Sequence, residues 1–400
     1  MTSSVSSDML LATNTEDTVK KTTFKTSFLI TLPVFMGYAC CFSLQHRLSF
    51  IFGLTEGASG DPLSYKYGVA ASLVYGFNLI FRVLGHNIVF GCLPPKWRVT
   101  VALCSMIIGM SLFVFLSYQK YPNIAWAYFP FAFCGVCEGS YGPNMLNVVN
   151  ELGDTRLYVV LAMPVGVACV TILGFALMGF GMPFQWCYIA TGVCLILGII
   201  IYHLTVFPAA SKLGSHQSNF SLRDFGRDLL CIGDWFPKIW FCSLVFLLNM
   251  VCLALFNPGC TLYVYESRVT FHLFGFTVNH DIFILLYNIC SFVGDFVSRK
   301  VMNKKRIINP IWFFFMLCFG FALNISLIPE IVPFAAFCFS WANGGLYVQC
   351  TKLIGLLFEE KYHLTATSTW LFIGDAGSFS GANIVQLLRP AIGAIKKRMF

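Results

Sequence analysis

Apolar residues in this 400-residue chain gather in long runs separated by short clusters of Gly, Pro, Asn and charged residues. The runs approach the ~20 residues that a helix needs to cross a hydrocarbon layer about 30 Å thick. Read between this punctuation, the pattern predicts six helices, near 27–45, 67–92, 99–117, 124–148, 157–180 and 185–206. A polar break at 207–238 follows, and then five more helices near 239–257, 279–299, 308–328, 331–357 and 364–388. The expected organisation is a cytoplasmic segment at 1–26, a six-helix half at 27–206, a cytoplasmic linker at 207–238, a five-helix half at 239–388 and a tail at 389–400.

Composition turns these helices into membrane spans. Hydrophobic residues make up 57% of the chain and charged residues 11%, whereas a soluble domain carries about 25% charged residues. A water-soluble fold has no means of covering so much apolar surface. The predicted class is therefore an all-α polytopic membrane protein with eleven transmembrane helices in six-plus-five halves. The first 25 residues lack the basic start, short apolar stretch and small-residue cleavage site of a secretory signal, which leaves the first span as an uncleaved signal.

Charge adds orientation. The net charge of +8 does not point to nucleic acid, because most Lys and Arg lie in short loops beside the spans. With the N-terminus inside, internal segments hold sixteen Lys and Arg and external segments eight, four of them in the tail. The bias favours an inside N-terminus, and only the basic tail AIKKRMF runs against it. The seventeen cysteines lie mostly within apolar spans and read as small packing residues. Cys134 and Cys137 form a CxxC, but no second pair or histidine cluster accompanies them, so no metal or other cofactor is expected.

Charged side chains within spans cost about 2.5–3.5 kcal/mol each on insertion scales, so each needs a partner, a watery cavity or a purpose. Here they are Arg82 with His86, Glu138, Asp295 with Arg299, Lys352 and Asp375. Asp295 and Arg299 stand at i and i+4, the acid N-terminal to the base, and so share a helix face. They are either an ion pair at the inner membrane edge, with Arg299 reaching the interface beside Lys300, or a site. As a site they offer carboxylate acceptors to hydroxyls and a guanidinium fork to ring nitrogens or carbonyls. Glu138 lies among Gly135, Gly139 and Gly142, a side that permits close approach by a neighbouring helix, and is either held neutral against another helix or faces water and a substrate donor. Asp375, among Gly374, Gly377 and Gly381, is expected to pair with Arg82 or Lys352. His86 reads as a buried histidine, and Lys352 as a side chain reaching the inner interface. The halves also echo each other: Arg82 and His86 in the second span against Asp295 and Arg299 in the eighth, EGSYGP in the fourth against WANGGLY in the tenth. Two halves around a central path is an architecture of many carriers.

These residues resemble the equilibrative nucleoside transporter family. LLYNICSFVGDFVSRK, with Asn288, Asp295 and Arg299, is similar to its eighth-span hallmark, SWANGGLYVQC with Asn343 to its tenth span, and TSTWLFIGDAGSFSGAN to its glycine-rich eleventh. In the first half, FCGVCEGS resembles its fourth-span Gln-Gly-Ser motif and LPPKWRVTVAL its basic turn before span three. The resemblance implies a major-facilitator-like arrangement, alternating access, and purine nucleosides or nucleobases as substrates. It makes Asp295, Arg299, Glu138, Leu44 and Gln45 the substrate-binding candidates, with Glu138 at the position of the family's Gln. It leaves Arg82, His86, Asp375, Lys352 and Asn343 as gating or helix-pairing candidates. Two departures stand out. Leu44 and Gln45 occupy the place of the family's first-span Trp-Asn pair, and Glu138 replaces an amide with a group that only accepts when ionised. The divergence is most similar to the branch found in protozoan parasites.

The functional expectation is a facilitative nucleoside or nucleobase carrier, multi-pass in the plasma membrane. It would work without nucleic acid or an obligate protein partner. The alternatives are a facilitator-type carrier of another small polar solute (sugar, amino acid or drug) and a proton-coupled nucleoside symporter. A membrane-embedded enzyme is disfavoured, since no zinc-protease motif, nucleophile elbow or acidic metal cluster occurs. No Gly-rich phosphate loop of the ATP-binding type occurs either.

Overall fold

The computed structural model describes residues 25–54, 62–120, 122–150, 152, 155–213, 222–256, 270–273, 275–326 and 328–399. Each predicted run is helical: α1 Lys25–Ser43, α2 Pro62–Ile80, α3 Pro95–Ser117, α4 Tyr128–Asn150, α5 Thr155–Gly179 and α6 Gln185–Leu204 in the first stretch. After the linker come α7 Trp240–Ala254, α8 His280–Lys304, α9 Ile311–Ile325, α10 Val332–Leu357 and α11 Glu360–Met399. Among the described residues, α1, α3, α5, α6 and α8 are by themselves long and apolar enough to span a bilayer. A sixth candidate is α7 together with the preceding Ile232–Lys238, from which it bends by 65°. Large apolar side chains such as Ile196, Leu197 and Ile200 on α6 and Phe315 and Phe319 on α9 point outward, as a lipid-facing surface requires.

The helices approach through glycine. In lipid no hydrophobic drive separates helix from solvent, so small residues that let backbones meet decide the packing. A Cβ on Gly135 or Gly139 of α4 would lie 2.6 Å from the Val74 carbonyl or 2.5 Å from that of Asn78, so α2 rides directly on α4. The second half repeats the device, for a Cβ on Gly344 of α10 would lie 2.5 Å from the Asp295 carbonyl of α8. Gly377 and Gly381 of α11 press likewise on the Leu247 and Val251 carbonyls of α7. Between the halves, α2 and α4 meet α11, and α5 meets α8.

Several local features differ from the sequence reading. The 207–238 linker carries helices Val206–Leu213, Leu222–Leu230 and Ile232–Trp235. LRDFGRDLL spaces its Leu and Phe residues along one helical face, and buried Asp228 accepts a bond from Thr365 of α11 at 3.3 Å. α11 stays helical to Met399 rather than ending near 388, because only Pro390 and Gly393 interrupt a run of good helix formers. Before α8 stands a hairpin, β1 Thr270–Leu273 with β2 Phe276–Asn279, paired antiparallel with Leu273 opposite Phe276. Gly275 supplies the left-handed turn at φ 86°. The N-terminal 24 residues and the glycosylation sequon Asn219-Phe220-Ser221 lie outside the described residues.

Candidate functional site

α8 carries Asp295 and Arg299 to the seam with the first half. The pair is bidentate, Arg299 Nε donating to Asp295 Oδ1 and Nη2 to Oδ2, both at 3.0 Å. Nη1 crosses the seam to donate to the Val160 carbonyl of α5 at 3.0 Å. The guanidinium lies 4.7 Å from the centre of the Tyr347 ring on α10, within cation–π range. Arg299 is 4% exposed while Lys300 is exposed, so Arg299 does not reach the interface and the pair is an interior one. Asn343 Nδ2 points at Asp295 Oδ1 and Asn249 Nδ2 of α7 at Asn343 Oδ1, each at 3.5 Å.

A second pair joins the halves between α2 and α11. Arg82 Nε donates to Asp375 Oδ2 at 2.5 Å, the two side chains being 8% and 12% exposed. Arg82 belongs to a π-helical turn, Phe81–Gly85, that continues α2. Such single-turn bulges are frequent at functional sites because they re-aim a side chain and loosen the hydrogen-bond ladder. Gly142 on α4 makes room for it, since a Cβ there would lie 2.7 Å from Arg82 Nη1. Glu138, one helical turn before Gly142, is buried, and both Arg82 and Asp375 act on it electrostatically. His86 opens the short helix His86–Ile88, and its side chain lies outside the described residues.

Between the two pairs stands Tyr347. Arg82, Arg299, Asp375 and Arg156 all act on it electrostatically. Its ring meets Trp370 of α11 edge-on at 4.9 Å, and Trp370 packs on Phe246 of α7 at 4.9 Å. The structure thus gathers Asp295, Arg299, Asn343, Arg82, Asp375 and Glu138 into one belt across the seam, and adds Tyr347, Trp370 and the Val160 carbonyl, which sequence reasoning missed. Tyr347 stands four residues after Asn343 and so shares its helix face, a spacing that would have singled it out. Tyr38 of α1 also faces Glu138.

Other candidates stand apart from the belt. Leu44 is fully buried at the bend between α1 and the helix Gln45–Ile51, and Gln45 lends its backbone carbonyl to Tyr67 at 2.8 Å. Lys352 reaches the end of α8. Its Nζ donates to the carbonyls of Met302, Asn303 and Lys305 at 2.9, 2.6 and 3.0 Å, capping the C-terminal end of α8. Unsatisfied carbonyls and the negative dipole end draw a cation there. Cys134 and Cys137 are buried packing residues, and no group of His, Cys, Asp and Glu among the described residues is placed to hold a metal. Cys242 of α7 and Cys350 of α10 depart from the packing reading and form a disulfide; their separation of 108 residues hides the pairing from any spacing rule.

No family model and no curated protein sequence matches the chain. Solved structures do resemble it. The human organic anion transporter MFSD10 (TETRAN) aligns with a TM-score of 0.60 at 11% identity, covering 94% of this chain and 96% of that one. A POT family transporter in complex with 5-aminolevulinic acid aligns at 0.61 and 13% identity, covering 93% of each chain. A peptide transporter POT in complex with sulfate aligns at 0.57 and 13% identity, covering 94% of this chain and 90% of that one. The fold is therefore that of an all-α, major-facilitator-like polytopic membrane protein.

Proposed function

We propose that this chain carries a nucleoside or nucleobase, purines favoured, across the plasma membrane by alternating access between its two halves. The observation that carries the reading is the buried Asp295–Arg299 pair, fastened across the seam to Val160 and faced by Tyr347. When α5 and α8 part, Arg299 Nη1 loses its carbonyl and Asp295 keeps lone pairs beyond those that Arg299 uses. A ribose hydroxyl then donates to Asp295, and a base nitrogen or carbonyl accepts from Arg299. Tyr347 and Trp370 supply aromatic surface for the ring. The family resemblance supplies the substrate class, and the three fold neighbours, each a transporter, support the transport class.

A second reading, a carrier of a small solute bearing an anionic group, is favoured by one feature: three guanidinium groups, of Arg82, Arg156 and Arg299, act electrostatically on Tyr347 against the carboxylate of Asp375. The organic anions of the first neighbour, the carboxylate-bearing 5-aminolevulinic acid in complex with the second and the sulfate in complex with the third agree with it. Purified protein in proteoliposomes, preloaded with unlabelled solute and tested for counterflow of labelled adenosine, inosine, hypoxanthine, glucose and 5-aminolevulinic acid, separates the readings. Counterflow of the purines alone is the expected result. Movement of 5-aminolevulinic acid without any purine would transfer the assignment to the anionic reading.

A further inference from the structure

The charges around Glu138 do not balance. Arg82 of α2 brings one positive charge, whereas Glu138 of α4 and Asp375 of α11 bring two carboxyls, and Arg82 is committed to Asp375. Glu138 is 5% exposed, and its Oε1 has no hydrogen-bond partner. The other titratable groups facing it are Tyr38 from α1 and Cys134, Cys137 and Tyr141 on α4 itself, none of which carries a charge at neutral pH. Cys41 of α1 and Tyr75 of α2 adjoin Tyr38, and Arg156 of α5 lines a cavity with Pro143 and Asn147 of α4. Asp295 and Arg299 already neutralise each other. A buried carboxylate with an unpartnered oxygen, beside a second carboxylate that already holds the nearby guanidinium, is costly in a protein interior, and a bound proton lowers that cost.

We propose that Glu138 is a proton-binding site coupled to solute transport, protonated while Arg82 holds Asp375 and deprotonated when the parting of α2 from α11 frees Arg82 to turn to it. One proton moves and no electrons. The O–H bond of Glu138 breaks, the proton leaves to water on the open side, and the carboxylate accepts the guanidinium N–H groups that Asp375 gives up, while water in the opened seam hydrates the Asp375 carboxylate. The turn is short, because Gly142, at i+4 from Glu138, already seats Arg82 Nη1 on that face of α4. The inference deepens the nucleoside-carrier reading and rests on it. It exchanges the uncoupled transport expected from the resemblance for transport with a proton as co-substrate.

Two measurements test it. The first needs no solute: infrared difference spectra of the purified protein across the neutral pH range should contain a protonated-carboxyl band that disappears in Glu138→Gln. Absence of the band, or its persistence in the variant, overturns the proton site whatever the protein carries. The second uses proteoliposomes with labelled adenosine. An inward proton gradient of about one pH unit sustains up to about tenfold accumulation of a neutral solute moved with one proton. The parent protein should accumulate label several-fold above equilibration and acidify the lumen as adenosine enters. Whatever uptake remains in Glu138→Gln should be equal with and without the gradient, and Gly142→Ala, which displaces Arg82, should weaken the coupling ratio. Adenosine counterflow with neither accumulation nor acidification would sink the coupling and leave the carrier reading standing. No adenosine movement, with the infrared band present, would sink the nucleoside assignment and leave the proton site.

Discussion

Removing one member of the Asp295–Arg299 pair tests the centre of the functional reading. In Arg299→Gln, the Asp295 carboxylate loses both 3.0 Å bonds and keeps only Asn343 at 3.5 Å. Breaking a buried pair in this way costs about 3–5 kcal/mol, because one charge stays behind uncompensated. Asp295 is 15% exposed and takes some solvent, which places this variant at the lower end. Asp295→Asn strands the Arg299 guanidinium, 4% exposed, and belongs at the upper end. At 1.4 kcal/mol per factor of ten, the lower figure already shifts a conformational equilibrium about a hundredfold. Both single variants should lose uptake to background at equal surface abundance, with lower melting temperatures in detergent. The double variant Asp295→Asn with Arg299→Gln restores neutrality, so it should regain most of the stability without regaining uptake. A pair that served only structure would let the double variant transport again. Normal uptake by either single variant would refute the assignment of this pair to solute binding, and unchanged melting in both would refute its burial as a coupled unit.

Lys352→Met removes three bonds from the end of α8 and should cost up to about 2 kcal/mol of stability, read as a lower melting temperature, while the transport that remains per folded molecule keeps its substrate preference. Gly139→Ala sets a Cβ 2.5 Å from the Asn78 carbonyl, and the forced separation of α2 from α4 should cost about 1–3 kcal/mol and slow transport; a variant as stable and active as the parent would count against that close approach. The linker is expected to face the cytoplasm, so Asn219 should carry no glycan when the protein is expressed in cells, and a glycosylated Asn219 would invert the orientation.

What the sequence by itself determined is the class and the chain's division into helices. A bilayer leaves a backbone no partner but itself, so every run of about 20 apolar residues must be a helix, and this rule needs no knowledge of tertiary contacts. The same logic singled out the costly residues, since a charge at membrane depth announces a partner or a purpose. Which partner, however, is a matter of approach between distant segments. Asp295 and Arg299 are four apart and their pairing is written in the helical repeat, but Arg82 and Asp375 are 293 residues apart and meet only because α2 and α11 share the seam. Lys352 had the same composition-level description as a snorkelling lysine, and only the fold put the end of α8 within its reach. Glycines at 139 and 377 were legible as close-packing positions, whereas the neighbours they admit, Asn78 and Leu247, were not. The Val160 carbonyl enters the site for the same reason: a backbone oxygen carries no signal of its own until another helix brings a guanidinium to it, whereas Tyr347 shares a helix face with Asn343 and could be read from that spacing. Local periodicity sets the elements because it acts within one helix, and the tertiary structure sets the site because its parts come from six.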